Sequence, residues 1–162
     1  MNRPELATPP EEEETAPTAP LNRMVLAVLA LFGVLISIYM LLYHVGMIGS
    51  IVCGTGGCET VQNSPWSSFL GIPVPLIGLL GYAALLATAL LGLQPRMLAD
   101  RRVALILLAG ALIAFAFSAY LTWLEAFVIH AWCRWCIASA VLTLLLVLAA
   151  LPEYARLRGS TT

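Results

Sequence analysis

The chain is 162 residues long, 60% hydrophobic and only 10% charged, a balance that a water-soluble domain of this size could not keep off its surface. Lys and Arg together number eight, all of them arginine, and the net charge is −1, which leaves no basic surface for a nucleic acid. Length, composition and charge therefore place the chain in a lipid bilayer and exclude nucleic-acid partners.

The opening segment is rich in Pro, Ala and Thr and carries the run Glu11, Glu12, Glu13, Glu14. It lacks the apolar side chains that offset the entropy of ordering, so residues 1–22 read as a disordered acidic tail. A secretory signal needs a basic start and a short apolar stretch. Here the start is acidic and the apolar run long, so the first hydrophobic segment is expected to stay in the membrane.

A helix needs roughly 20 apolar residues to cross the hydrocarbon core, and only a helix or a closed barrel satisfies its backbone there. Stretches at about 24–45, 74–93, 103–130 and 133–151 qualify. The predicted fold is an all-α integral membrane protein, a four-transmembrane-helix bundle over 23–152 with one long connection, Gly46 to Pro73, between helices one and two. Residues 153–162 read as a short tail. Cytoplasmic flanks collect Lys and Arg. Arg3 and Arg23 precede helix one, Arg96, Arg101 and Arg102 lie between helices two and three, and Arg156 and Arg158 follow helix four. Both termini are thus expected in the cytoplasm, with the long connection and the turn before helix four outside.

That orientation gathers all four cysteines on the extracytoplasmic side. The Cys133-Arg134-Trp135-Cys136 spacing sets two sulfurs on one helical face at a helix N-terminus, where partial positive charge favours thiolate. In Cys53-Gly54-Thr55-Gly56-Gly57-Cys58 three glycines permit a tight, mobile loop able to exchange disulfides with a neighbouring pair. The bland alternatives are a structural staple for Cys53 and Cys58, or a four-thiolate zinc site, which an oxidising compartment disfavours.

The order of these features, a cysteine pair, Ser64 within Asn63-Ser64-Pro65-Trp66-Ser67-Ser68-Phe69-Leu70-Gly71-Ile72-Pro73, and a late Cys-x-x-Cys opening the last helix, resembles the vitamin K epoxide reductase family. Ser118-Ala119-Tyr120-Leu121-Thr122-Trp123 resembles the third helix of its animal members. The resemblance implies a quinone-coupled thiol–disulfide oxidoreductase supporting disulfide formation, with Cys133 and Cys136 as the catalytic pair and Cys53 and Cys58 as the redox shuttle. It further implies that Cys136 faces the quinone, that Cys133 exchanges with Cys58, and that Ser64 supports the loop. Leu121 and Ser139 are candidate quinone contacts.

Ala140 stands where the animal enzymes carry a tyrosine and Val74 where they carry an asparagine. These departures point to the bacterial branch, which reduces ordinary menaquinone or ubiquinone in the plasma (inner) membrane and uses no metal. Many bacterial members carry a fused thioredoxin-like domain. This chain reaches Thr162 without one, so a separate thioredoxin-like or DsbA-like protein is the expected partner.

A DsbB-type oxidase has the Cys-x-x-Cys pair in its first outer segment, the reverse of the order here. A non-enzymatic membrane scaffold or a metal-binding protein with structural cysteines is the alternative from another class. Among other polar residues, Glu125 reads either as a proton relay or, more simply, as an interfacial charge reaching headgroups. Trp66, Trp132 and Trp135 read as interface anchors before pocket walls.

Overall fold

The structure, a computed structural model, describes residues 21–54, 57–98 and 100–159, the last four as backbone alone. Residues 1–20 of the expected tail 1–22, together with Thr55 and Gly56 of the glycine loop, lie outside the described residues, while Leu21 and Asn22 are helical.

Among the described residues, four helices are long and apolar enough to cross a membrane. They are α1 (Leu21–His44), α3 (Val74–Gly92), α4 (Arg101–Leu124), which runs on as a π turn over Glu125–Ile129, and α5 (Arg134–Gly159). Local chemistry fixes where they begin. Pro75 falls in the first turn of α3, where its missing N–H goes unneeded. The Asp100 carboxylate accepts the Arg102 N–H at 2.8 Å and caps α4.

The helices run alternately up and down, with α1 and α4 each packed against both α3 and α5. Leu26, Ala30, Tyr82, Leu107 and Leu146 form the centre, while Phe32, Leu80, Ile113 and Leu148 point outward, as expected of a bundle whose solvent is lipid. The Tyr82 ring fills the space that a side chain at Gly33 would need, so α1 and α3 meet closely there.

At the end away from the cysteines the helices extend beyond the predicted spans. Arg23 lies inside α1 and Glu153 inside α5, which continues through Pro152. The two side chains, 0% and 1% exposed, pair at 2.7 Å. Arg23 also donates to the carbonyls of Gly92 and Met97, the latter at 2.8 Å. Mutual neutralisation lets both enter the bundle, so residues 153–159 are helix where the sequence suggested a tail.

The long connection also has structure the sequence did not announce. It holds α2 (Gly57–Gln62), a 3-10 turn at Pro65–Ser67, and a hairpin of β1 (Ser68–Phe69) and β2 (Ile72–Pro73). The strands are antiparallel, pairing Ser68 with Pro73 and Phe69 with Ile72. Leu70 and Gly71 turn the hairpin with positive φ of 53° and 80°. Phe69 meets Phe117 of α4 edge-on at 6.1 Å, laying this segment as a cap across the bundle.

Candidate active site

All four cysteines meet under the cap. Cys53 and Cys58 form a disulfide, while Cys133 and Cys136 are free thiols. Cys53, Cys58 and Cys133 share one buried cluster with Met40, Ile51 and Val61, and Cys136 packs against it. Cys58 and Cys133 are both 0% exposed. Cys58 lies within α2, and its neighbour Gly57 sits so close to the Trp132 carbonyl that a side chain there would collide with it. The backbone of Val52 is gripped on both sides: its N–H donates to the Tyr39 hydroxyl at 3.0 Å, and its carbonyl accepts the Trp135 indole N–H at 3.2 Å. These contacts hold the segment before Cys53 over the start of α5. Trp135 is therefore a wall and a clamp rather than a membrane anchor alone, whereas Trp132 is exposed.

Cys133 immediately precedes α5, and its sulfur accepts the Cys136 N–H at 3.4 Å, the role of an N-cap side chain. The hydrogen bond from the Cys136 thiol holds the Cys133 thiol below the ordinary cysteine range, against the opposing effect of burial. Cys133 is thus prepared to act as a thiolate.

Glu125 departs from the interfacial reading. It opens the π turn, is 2% exposed, and its Oε2 accepts the Cys133 N–H at 3.0 Å. The wide turn ends at His130, in the left-handed conformation at φ 54°. Glu125 thus faces into the bundle instead of toward headgroups. Glu125, Cys133 and Cys136 each offer a donor atom within 4.8 Å of the others, a set that could hold a metal ion when the thiols are reduced.

Beside this cluster lies a cavity of about 560 Å³ between the helices and the cap. Cys136, Glu125, Leu121 and Ser139 line it, with Gln62, Trp66 and Phe69 contributed by the cap. Leu121 and Ser139, the candidate quinone contacts, both lie on this wall. The Ser139 hydroxyl is engaged with the Tyr82 hydroxyl at 2.7 Å. Ser64 does not line the cavity; its hydroxyl donates to the Val61 carbonyl at 2.7 Å and closes α2. Among the described residues, Gln62 Nε2 and Glu125 Oε1 on the cavity wall are buried without a hydrogen-bond partner. Sequence reasoning missed Gln62 and Tyr82 as wall residues. A phenol in the middle of an apolar span was the available signal for Tyr82, whereas Gln62 gave none.

A membrane helical bundle here gathers a disulfide and a free dithiol at one end, in mutual contact, an arrangement suited to thiol–disulfide chemistry. The model of the vitamin K epoxide reductase family matches residues 24–151, a span that includes all four cysteines, and the chain belongs to that family.

Proposed function

We propose that this protein passes electrons from a reduced extracytoplasmic dithiol protein through Cys53 and Cys58 to Cys133 and Cys136, and on to a membrane quinone, so supporting disulfide formation. The observation that carries the reading is Cys136, packed against the other cysteines on one side and lining the cavity on the other. The cavity fits the oxidant by its chemistry. Its walls are mostly apolar, as a ring with an isoprenoid tail requires, and the unpartnered Gln62 amide suits a ring carbonyl.

In this reading the donor's thiolate attacks the Cys53–Cys58 disulfide, and the reduced shuttle hands the electrons on through a mixed disulfide with Cys133. Quinone supplies the oxidising power, and the protein's residues supply position and thiolate. For a two-electron couple each ~30 mV of potential difference is worth about 1.4 kcal/mol, so a modest gap suffices to drive transfer toward quinol. The thiol partner is a separate thioredoxin-like or DsbA-like protein, and Ser64 supports the shuttle by ending α2.

The deciding experiment is quinone reduction by the purified protein, given a reduced thioredoxin-like donor and either menaquinone or ubiquinone. Turnover that needs all four cysteines is the expected result. Bound zinc in the protein as isolated, without turnover of either quinone, would instead favour a metal-handling role for Glu125, Cys133 and Cys136.

The arginine distribution supports cytoplasmic termini in a bacterial plasma (inner) membrane, with the cysteines outside. An impermeant maleimide applied to intact, reduced cells should then label the cysteines. Labelling only after lysis would reverse the orientation.

A further inference from the structure

We infer that Glu125 carries a proton from the Cys133–Cys136 pair to the reduced quinone, an inference that rests on quinone being the oxidant as proposed above. When the pair is oxidised, the two S–H bonds break, Cys133 Sγ bonds to Cys136 Sγ, and two electrons and two protons leave. The quinone gains two electrons and, as quinol, two protons, so no other reductant or oxidant is consumed. The electrons pass through Cys136. In a mostly apolar wall the protons need carriers of their own.

Glu125 suits that task by position. Its carboxyl is on the cavity wall that Cys136 shares, and its donor atom and both sulfurs lie within 4.8 Å of one another. Oε2 accepts the Cys133 N–H, whereas Oε1 has no hydrogen-bond partner among the described residues. The carboxyl is thus anchored by one oxygen and available through the other. The titratable groups set against it are the thiols of Cys133 and Cys136 at the start of α5, with the Tyr82 phenol of α3 on the same cavity wall. Among the described residues, Arg134, the arginine nearest in sequence, forms no ion pair with it. A carboxyl buried in a membrane segment is costly, and a salt bridge does not account for this one.

The route balances in two transfers. The Cys136 S–H bond breaks as an O–H bond forms on Glu125, and that O–H bond then breaks as one forms on a ring oxygen. The second proton goes to solvent earlier, when the Cys133 thiolate forms, and the quinol's other oxygen takes one from solvent in exchange. Glu125 ends each turnover as it began.

The test compares the full-length wild type with Glu125→Gln, which keeps an acceptor for the Cys133 N–H, and with Glu125→Asp, which keeps a carboxyl. Infrared difference spectra between the oxidised and reduced pair, taken without quinone, should show a protonated-carboxyl band that changes in wild type and is missing from Glu125→Gln. Glu125→Gln, reduced with a small dithiol, should transfer to quinone on the order of a hundredfold more slowly and lose the wild-type pH profile, with Glu125→Asp intermediate. A wild-type spectrum without a redox-linked carboxyl change overturns the inference even if Glu125→Gln fails to fold. So does a Glu125→Gln protein with the wild-type rate and profile. If wild type reduces no quinone at all, the functional reading itself has failed and the inference falls with it, a result visible before any variant is compared.

Discussion

Cys133 occupies a position where a helix usually carries Ser, Thr or Asp, and its reactivity follows from that. The Cys136 thiol and N–H both stabilise charge on its sulfur, so its thiolate is present above a lowered pKa and lost as pH falls through that value. With the Cys53–Cys58 disulfide intact, alkylation of Cys133 should therefore have its pH midpoint below the ~8.5 of a free cysteine. Replacing Cys136 with Ala removes the thiol donor and should move the midpoint upward. An unmoved midpoint would show that the hydrogen bond does not set the acidity. Gln62 makes a different demand. Its amide is 6% exposed and Nε2 has no partner, so a ligand that supplies an acceptor gains a hydrogen bond the free protein lacks. Gln62→Leu is expected to raise the KM for quinone roughly tenfold, corresponding to about 1.4 kcal/mol, while exchange with the thiol donor stays as in wild type. Equal KM values would remove Gln62 from the quinone site.

Among the elements, α1 and α5 are tied by a buried ion pair at the end remote from the cysteines. Arg23 and Glu153 lie 130 residues apart in sequence, and Arg23 links three elements by also holding the carbonyls at Gly92 and Met97. A buried pair of this kind is worth little against an apolar replacement, but removing one partner costs about 3–5 kcal/mol. Glu153→Leu leaves Arg23 buried without its carboxylate and should lower the apparent melting temperature in detergent by roughly 10 °C. The double replacement Arg23→Leu with Glu153→Leu should recover part of that loss, though not all, because the two carbonyls lose their donor. A Glu153→Leu protein that melts with wild type would mean the pair holds nothing together. The pair also accounts for the ends of α1 and α5. Counted singly, Arg23 is a flanking positive charge and Glu153 a tail residue; only the folded bundle shows them as one neutral unit inside it.

At the scale of the whole molecule, the features legible in the sequence were those that lipid enforces. Hydropathy marked the four spans because an unsatisfied backbone cannot remain in hydrocarbon, and the cysteines stood out because they fall at one end of that topology. Contacts set by tertiary geometry were not legible. The inward aim of Glu125 shows only where it meets the Cys133 N–H, and the place of Gln62 depends on how the cap folds over the bundle. The proposed relay is a whole-molecule property of the same kind, since it needs the cap and α5 to meet. Cys58 and Cys133 share one buried cluster, and α2 touches the backbone at Trp132 through Gly57. Exchange between pairs passes through a mixed disulfide, which accumulates when neither sulfur has a partner to resolve it. With both Cys53 and Cys136 replaced by Ala, Cys58 and Cys133 are left with only each other. A Cys58–Cys133 bond should then build up and be readable by mass spectrometry of non-reduced peptides. The matching variant lacking Cys53 and Cys133 tests the other connectivity, Cys58 to Cys136, and should trap far less, because the Cys136 sulfur is the one directed to the cavity. If both variants insert and fold but neither bond forms, the two pairs do not exchange, and the Cys53–Cys58 disulfide is a staple holding the cap.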